Sequence, residues 1–133
     1  ALEENGLELK ESMMRFGDLS IKTGYNGFAD LLEAGTMPDA VFCANDQIAL
    51  GVMHKAEEKG IKVPDQLGVV GFDNEVMTSF PQINLTTISQ PADVMGKLAA
   101  QILIEKLENP ENDKPIKKLI APELILRGTT KRL

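Results

Sequence analysis

The chain has 133 residues, with 14 basic and 20 acidic side chains and a formal net charge of −6. That length suits one domain with a real core, and 43% apolar with 26% charged residues is ordinary for a soluble globular protein. No apolar run approaches the ~20 residues that span a bilayer, and the acidic balance argues against direct nucleic-acid binding, which needs a clustered basic footprint.

The opening residues, ALEENGLELKES, are acidic and polar, unlike a secretory signal. They read as the middle of a helix with no strand before it, so a fragment of a larger protein is expected. Residues 13–18 (MMRFGD) read as a short strand. Residues 23–35 follow as a helix, with Phe28, Leu31 and Leu32 spaced for one buried face. Asn26 and Gly27 form a hairpin dipeptide, but their flanks lack alternation and the helical reading prevails. Gly35 and Pro38 end the helix.

Residues 40–44 (AVFCA) are a continuous apolar run, expected of a strand covered on both faces. A second helix is expected over 46–59, capped by Asn45 and ended by Gly60, with Ile48, Ala49, Val52, Met53 and Ala56 as its apolar stripe. Residues 67–72 (LGVVGF) form another apolar strand, entered through the turn signal at 63–65. This alternation predicts an α/β fold, a parallel β-sheet flanked by helices with right-handed crossovers.

After Asp73 the pattern loosens into an irregular stretch, 74–84, containing Met77, Phe80 and Pro81. Residues 85–89 (LTTIS) are β-rich. Pro91 opens the longest helix, 91–108. Its broad apolar face, which includes Val94, Leu98, Ile102 and Leu107, needs a cover that the preceding units do not clearly supply. A polar loop, 109–115, and two short strands, 118–121 and 123–127, complete the chain.

In open parallel sheets, ligands bind beyond the carboxyl ends of the strands. That rule selects Asp18 with Leu19, Asn45 with Asp46, and Asp73 with Asn74. A carboxylate such as Asp73 accepts hydrogen bonds from vicinal hydroxyls, and Asn45 both donates and accepts, as a polyol or sugar site requires. The same residues serve equally as helix caps and turn stabilisers, which is their commoner use.

Other chemistry lacks residues to perform it. Gly68 and Gly71 sit inside a strand, where they permit close packing, and form no phosphate loop. His54 is the only histidine, placed on a helix as a surface or interface residue. Cys43 is the only cysteine, permits no internal disulfide, and reads as a small core residue in a reducing compartment. The Asn84–Leu85–Thr86 triplet is a chance glycosylation match, the six methionines are scattered, and the lysines at 114–118 and the charges at 131–132 read as solvated ends. No nucleophile–base pair or metal set assembles, so no enzymatic activity and no cofactor are expected.

Three segments together carry a resemblance: FCANDQIALGVMHKAEEKGIKVPDQLGVVGFDN over 42–74, LTTISQP over 85–91 and ELILRGTT over 123–130. Their succession closely resembles the C-terminal part of the lactose-repressor (LacI/GalR) family of bacterial transcription regulators, over nearly the whole chain. The resemblance implies one lobe of a sensor domain like those of periplasmic sugar-binding proteins, in a cytoplasmic protein without membrane contact. Residues 1–90 and 122–133 would form the second lobe, and 91–121 would pack with the missing first lobe. The helix-turn-helix head and the hinge lie outside this chain, so DNA would be bound only through those absent domains.

Asp73 then corresponds to the family's sugar-hydroxyl acceptor, Asn45 to a polar ligand contact, and Gln90 to a residue beside the crossover. Leu19 stands where relatives often place an aromatic ring that stacks on the effector. A usual arginine contact would precede Ala1. Leu50, Met53, Met77 and Phe80 fall at expected homodimer-interface positions. The implied effector is a sugar or related small polar metabolite. A transporter's sugar-binding protein shares these lobes without the DNA head, and the residues preceding Ala1 discriminate the two. A regulator controlled by a phosphorylated protein partner is the third option, and the missing ring at Leu19 leaves room for it.

Overall fold

The computed structural model describes residues 2–111 and 114–131. Its helices begin and end on local chemistry. Ser20 sits in extended backbone and its Oγ accepts from the Thr23 amide at 3.2 Å, starting α1, Ile21–Glu33. Asn45 does the same for α2, Asp46–Glu58, with Oδ1 accepting from the Ile48 amide at 2.9 Å. Each cap satisfies a donor that the helix itself leaves unpaired.

Both helices stop the same way. Gly35 (φ 75°) and Gly60 (φ 69°) adopt the left-handed conformation that disfavours a side chain. The amides of Gly35 and Thr36 reach back to the carbonyls of Leu32 and Leu31, and those of Gly60 and Ile61 to Glu57 and Ala56. This is the Schellman arrangement at both ends.

The sheet contains β1 (Ala40–Phe42), β2 (Gly68–Phe72), β3 (Thr86–Ser89) and β4 (Glu123–Ile125), in that spatial order. The first three strands run parallel, in a register that sets Val41 against Val69 and Gly71 against Thr87. β4 returns antiparallel along β3. The expected α/β class holds, as a mixed sheet with helices against it. α2 packs on β2, and α1 packs on α2. Phe28, Leu31, Val52, Leu67, Val69 and Leu85 are the larger side chains of the shared core. Cys43 joins them, as expected.

The two helices meet through glycine. A Cβ on Gly24 would stand 1.9 Å from the Ile48 carbonyl oxygen, and one on Gly51 would stand 2.0 Å from that of Ile21. Only backbone without side chains permits this approach.

Several expectations fail. Residues 13–18 form no strand: Glu11–Met13 is a 3₁₀ turn, and the rest is irregular. The Arg15 guanidinium donates to the Ser12 and Met14 carbonyls at 2.8 Å each, occupying local acceptors that a ladder needs, and Phe16 is 85% exposed. Among the described residues before that, only Glu3–Asn5 is regular, as another 3₁₀ turn. Residues 118–121 are likewise not a strand, and Leu119 projects into solvent. The last strand ends at Ile125 because the amides of Arg127 and Gly128 leave the ladder for Thr86 Oγ1 (2.9 Å) and the Asn84 carbonyl (2.8 Å).

The run at 40–44 is not covered on both faces. Phe42 is 65% exposed on one face, while Val41 on the opposite face packs against the core. The long helix, α3 (Ala92–Glu108), buries none of its residues, and Val94, Leu103 and Leu107 lie open. Within 74–84, only Val76–Ser79 is regular, as a 3₁₀ turn. The middle of the 109–115 loop and the last two residues, including Arg132, lie outside the described residues. Lys131 is not merely a solvated end: its Nζ donates to the Asp65 carbonyl at 2.7 Å.

Candidate functional site

The parallel register brings the carboxyl ends of β1, β2 and β3 to one edge. The Cys43 amide donates to the Val70 carbonyl at 2.8 Å, and the Asp73 amide to that of Ile88 at 2.9 Å. Beyond these ends stand Asn45, Asp73 and Gln90, on neighbouring strands.

Asn45 is buried and its side chain is committed at both ends. Oδ1 caps α2, and Nδ2 donates to the Leu19 carbonyl at 3.1 Å. It therefore fixes the backbone of Leu19, whose side chain is exposed and offers no aromatic plane. Asp73 is different. It is exposed, its φ is 104°, and its Oδ1 accepts from Gln90 Nε2 at 2.8 Å. The remaining lone pairs on that carboxylate are open to hydroxyl donors.

A non-glycine residue in the left-handed region costs about 1–3 kcal/mol and persists only where its surroundings over-determine it. Asp73 is followed by a second such residue, Asn74 (φ 56°). The surroundings supply the constraint. Asn74 donates from its amide to Thr87 Oγ1 (3.4 Å) and from Nδ2 to Ser89 Oγ (3.3 Å), and its Oδ1 accepts from Arg127 Nη2 (2.6 Å). The Glu75 amide donates to Asp46 Oδ2 at 2.7 Å, and Gln47 Nε2 donates to the Glu75 carboxylate at 2.5 Å. Arg127 Nη1 also reaches the Leu85 carbonyl (2.8 Å) and Thr78 Oγ1 (3.2 Å).

Residue-level reading missed Arg127 and, for Asp46, the role. Arg127 entered only as a letter in the ELILRGTT tail. Asp46 entered beside Asn45 as a strand-end candidate or a cap, yet it is the first residue of α2 and wholly buried. A shallow groove of about 250 Å³ opens beside Gln90, with Phe72, Pro91, Met95, Lys118 and Leu119 on its walls.

Asp18 serves its own turn. The hydroxyls of Ser20 (2.5 Å) and Thr23 donate to its carboxylate and hold its pKa below the ordinary value. A depressed folded-state pKa gives stability that is complete above the unfolded value and lost as acid titrates the folded group. The stability difference between wild type and Asp18→Asn is thus expected to be largest near neutral pH. It should shrink as the pH falls below about 3.9. Urea denaturation over a pH series measures it, and a difference independent of pH would contradict the assignment.

The expected interface residues are spread over two elements. Leu50 and Met53 are half-buried on α2, where Met53 also packs against the core. Met77 and Phe80 lie exposed on and just after the 3₁₀ turn. Nearby, Tyr25 donates to the Glu58 carboxylate, Lys55 Nζ bonds Glu58 at 2.9 Å, and the exposed His54 ring lies 5.3 Å from that of Tyr25. Those hydrogen bonds lower the Glu58 pKa and raise that of Lys55. Burial, then the nearby Asp46 charge, pushes the Cys43 thiol up to about 12, so it is not a nucleophile at neutral pH. No helix among the described residues is long and apolar enough to cross a membrane, and no cluster of His, Cys, Asp and Glu there could hold a metal ion.

Residues 1–130 match the periplasmic binding protein-like domain family. The HTH-type transcriptional repressor PurR of Vibrio campbellii is 35% identical over the whole of this chain, which spans 40% of that repressor. Among solved structures, the transcriptional regulator CelR in complex with cellobiose superposes with a TM-score of 0.89 at 26% identity, over 96% of this chain and 39% of that one. The Lac repressor dimer bound to operator and the anti-inducer ONPF superposes with a TM-score of 0.85 at 32% identity, over 97% and 44%. The chain thus spans about two fifths of the length of the curated relatives it matches.

Proposed function

We propose that this chain, which belongs to the periplasmic-binding-protein-like family in the form carried by LacI-type transcription regulators, senses a sugar or similar polyhydroxylated metabolite for such a regulator. One observation carries the reading. Asp73 is held in a strained, exposed conformation at the end of a parallel strand, with Gln90 fixing one carboxylate oxygen and leaving the rest for hydroxyl donors. Local strain that surrounding bonds maintain marks functional positions. Asn45 supports the site chiefly by fixing Leu19, and with Leu19 completes the floor. The cellobiose bound to CelR favours a carbohydrate here.

The open apolar face of α3 favours residues 91–121 packing with a first lobe outside this chain. Effector held between two lobes then biases their relative orientation. A dimer formed through Leu50, Met53, Met77 and Phe80 passes that bias to DNA-binding heads outside this chain. The device works only if effector affinity differs between the two orientations, typically by about 1–3 kcal/mol. A thermal-shift screen of the full-length protein tests the reading, with cellobiose, ribose and other mono- and disaccharides. At least one sugar is expected to raise the Tm as its concentration rises. A flat response across the panel defeats the carbohydrate assignment.

A further inference from the structure

We infer that Asp46 is a positioning residue for this site: its buried carboxylate holds residues 73–75 in the conformation that presents Asp73. The inference rests on the reading of Asp73 given above, and it concerns a group that the sequence offered only as a strand-end candidate or a helix cap.

Asp46 is 0% exposed, and among the described residues its hydrogen bonds come from neutral donors alone. Thr87 Oγ1 donates to Oδ1 at 2.6 Å, and the Glu75 amide donates to Oδ2 at 2.7 Å. A buried carboxylate facing only neutral donors is expensive, and an apolar side chain of similar volume would fill the space without that expense. What the carboxylate alone supplies is two acceptor atoms for two converging donors. The position at the first turn of α2 favours the negative charge. Strand β2 also yields to it, since a Cβ on Gly71 would stand 2.2 Å from Oδ1.

Both peptides after Asp73 end on this one group. The Glu75 amide reaches it directly. The Asn74 amide reaches it through Thr87, whose oxygen accepts from Asn74 at 3.4 Å while its hydroxyl donates to Asp46. These are the peptides that follow the two left-handed residues, Asp73 at φ 104° and Asn74 at φ 56°. Without the acceptors, only the side-chain bond from Gln47 to the Glu75 carboxylate remains on the α2 side, and it does not hold the backbone amides against relaxation of the strain. Asp73 then loses its fixed direction beside Gln90.

Residue-level amide exchange in the full-length protein, without ligand, tests this. Asp46→Asn preserves size but puts a donor where one acceptor stood. Exchange at Asn74 and Glu75 is expected to quicken by about tenfold, while Val52 and Val69 in the core keep wild-type rates. Asp46→Ala should show a larger effect at the same two amides. Unchanged exchange at Asn74 and Glu75, or quickening that the core shares equally, overturns the positioning role. Should Asp46→Asn fail to fold, Thr87→Val removes one arm only. It must then quicken Asn74, and an unchanged Asn74 amide refutes the relay. A wild-type protein that takes no sugar in the thermal-shift screen overturns the effector reading instead, and the ligand-free exchange experiment reads Asp46 in either case.

Discussion

Gly24→Ala and Gly51→Ala are each expected to destabilise the fold by about 3 kcal/mol or more, at the upper end of what overpacking produces. The reason lies in what the new methyl meets. At Gly24 it would stand 1.9 Å from the Ile48 carbonyl oxygen, and at Gly51 2.0 Å from the Ile21 carbonyl oxygen and 2.7 Å from the Tyr25 nitrogen. These are backbone atoms inside helices, and they cannot rotate away as a side-chain end can. Either α1 and α2 separate, uncovering Phe28 and Val52, or the helices distort where they touch. Gly96 supplies the contrast, because it lies within α3 with nothing within 4 Å of its added Cβ. Gly96→Ala is expected to stabilise by about 0.5–1 kcal/mol through helix propensity alone. Guanidinium denaturation at constant slope measures all three. A Gly24→Ala midpoint equal to wild type would mean that the helices do not approach this closely.

That contrast also explains which parts of the fold were legible in the sequence. The helix ends and the start of α2 were, because Asn45, Gly35 and Gly60 act on residues within one turn of themselves, whereas the Ser20 cap went unread and α1 begins two residues before the expected 23. Strands β2 and β3 were, because their apolar and β-branched runs are bounded by strong turn signals. Two other segments were not. Residues 13–18 are apolar enough for a strand, but Arg15 ties the local carbonyls. The run at 40–44 has the composition of a strand covered twice, yet Phe42 faces outward.

The site divides along the same line. Asp73 and Asn45 were readable as polar residues after strand ends, and Gln90 only through the family resemblance. The bond between Asp73 and Gln90 requires the register of β2 against β3, which no local signal states. Asp46 and Arg127 act on residues about thirty to fifty positions away, through Glu75, Thr87 and Asn74. A sequence shows such residues as ordinary charges. Only the assembled sheet shows that one loop is gripped from two sides.

Asp73→Ala is expected to weaken effector binding by roughly a hundredfold or more, because hydrogen bonds to a charged group contribute about 1.5–3 kcal/mol each and the carboxylate can accept two from vicinal hydroxyls. Folding should suffer far less, since Asp73 is exposed and its side chain bonds only Gln90 among the described residues. Alanine at φ 104° keeps the backbone strain and loses that bond, so a modest destabilisation accompanies it. Asp73→Gly separates the two effects. It relieves the strain, which should raise stability by about 1 kcal/mol, while removing the same acceptors and hence the same affinity. Asp73→Asn keeps the shape and one acceptor, and should fall between wild type and alanine in affinity. Titration calorimetry with the sugar that shifts the wild-type Tm, paired with denaturation of each variant, gives both quantities. A protein made more stable by glycine and blind to its sugar is the outcome expected of a residue strained to meet a ligand. Equal affinity in wild type, alanine and glycine variants would remove Asp73 from the site.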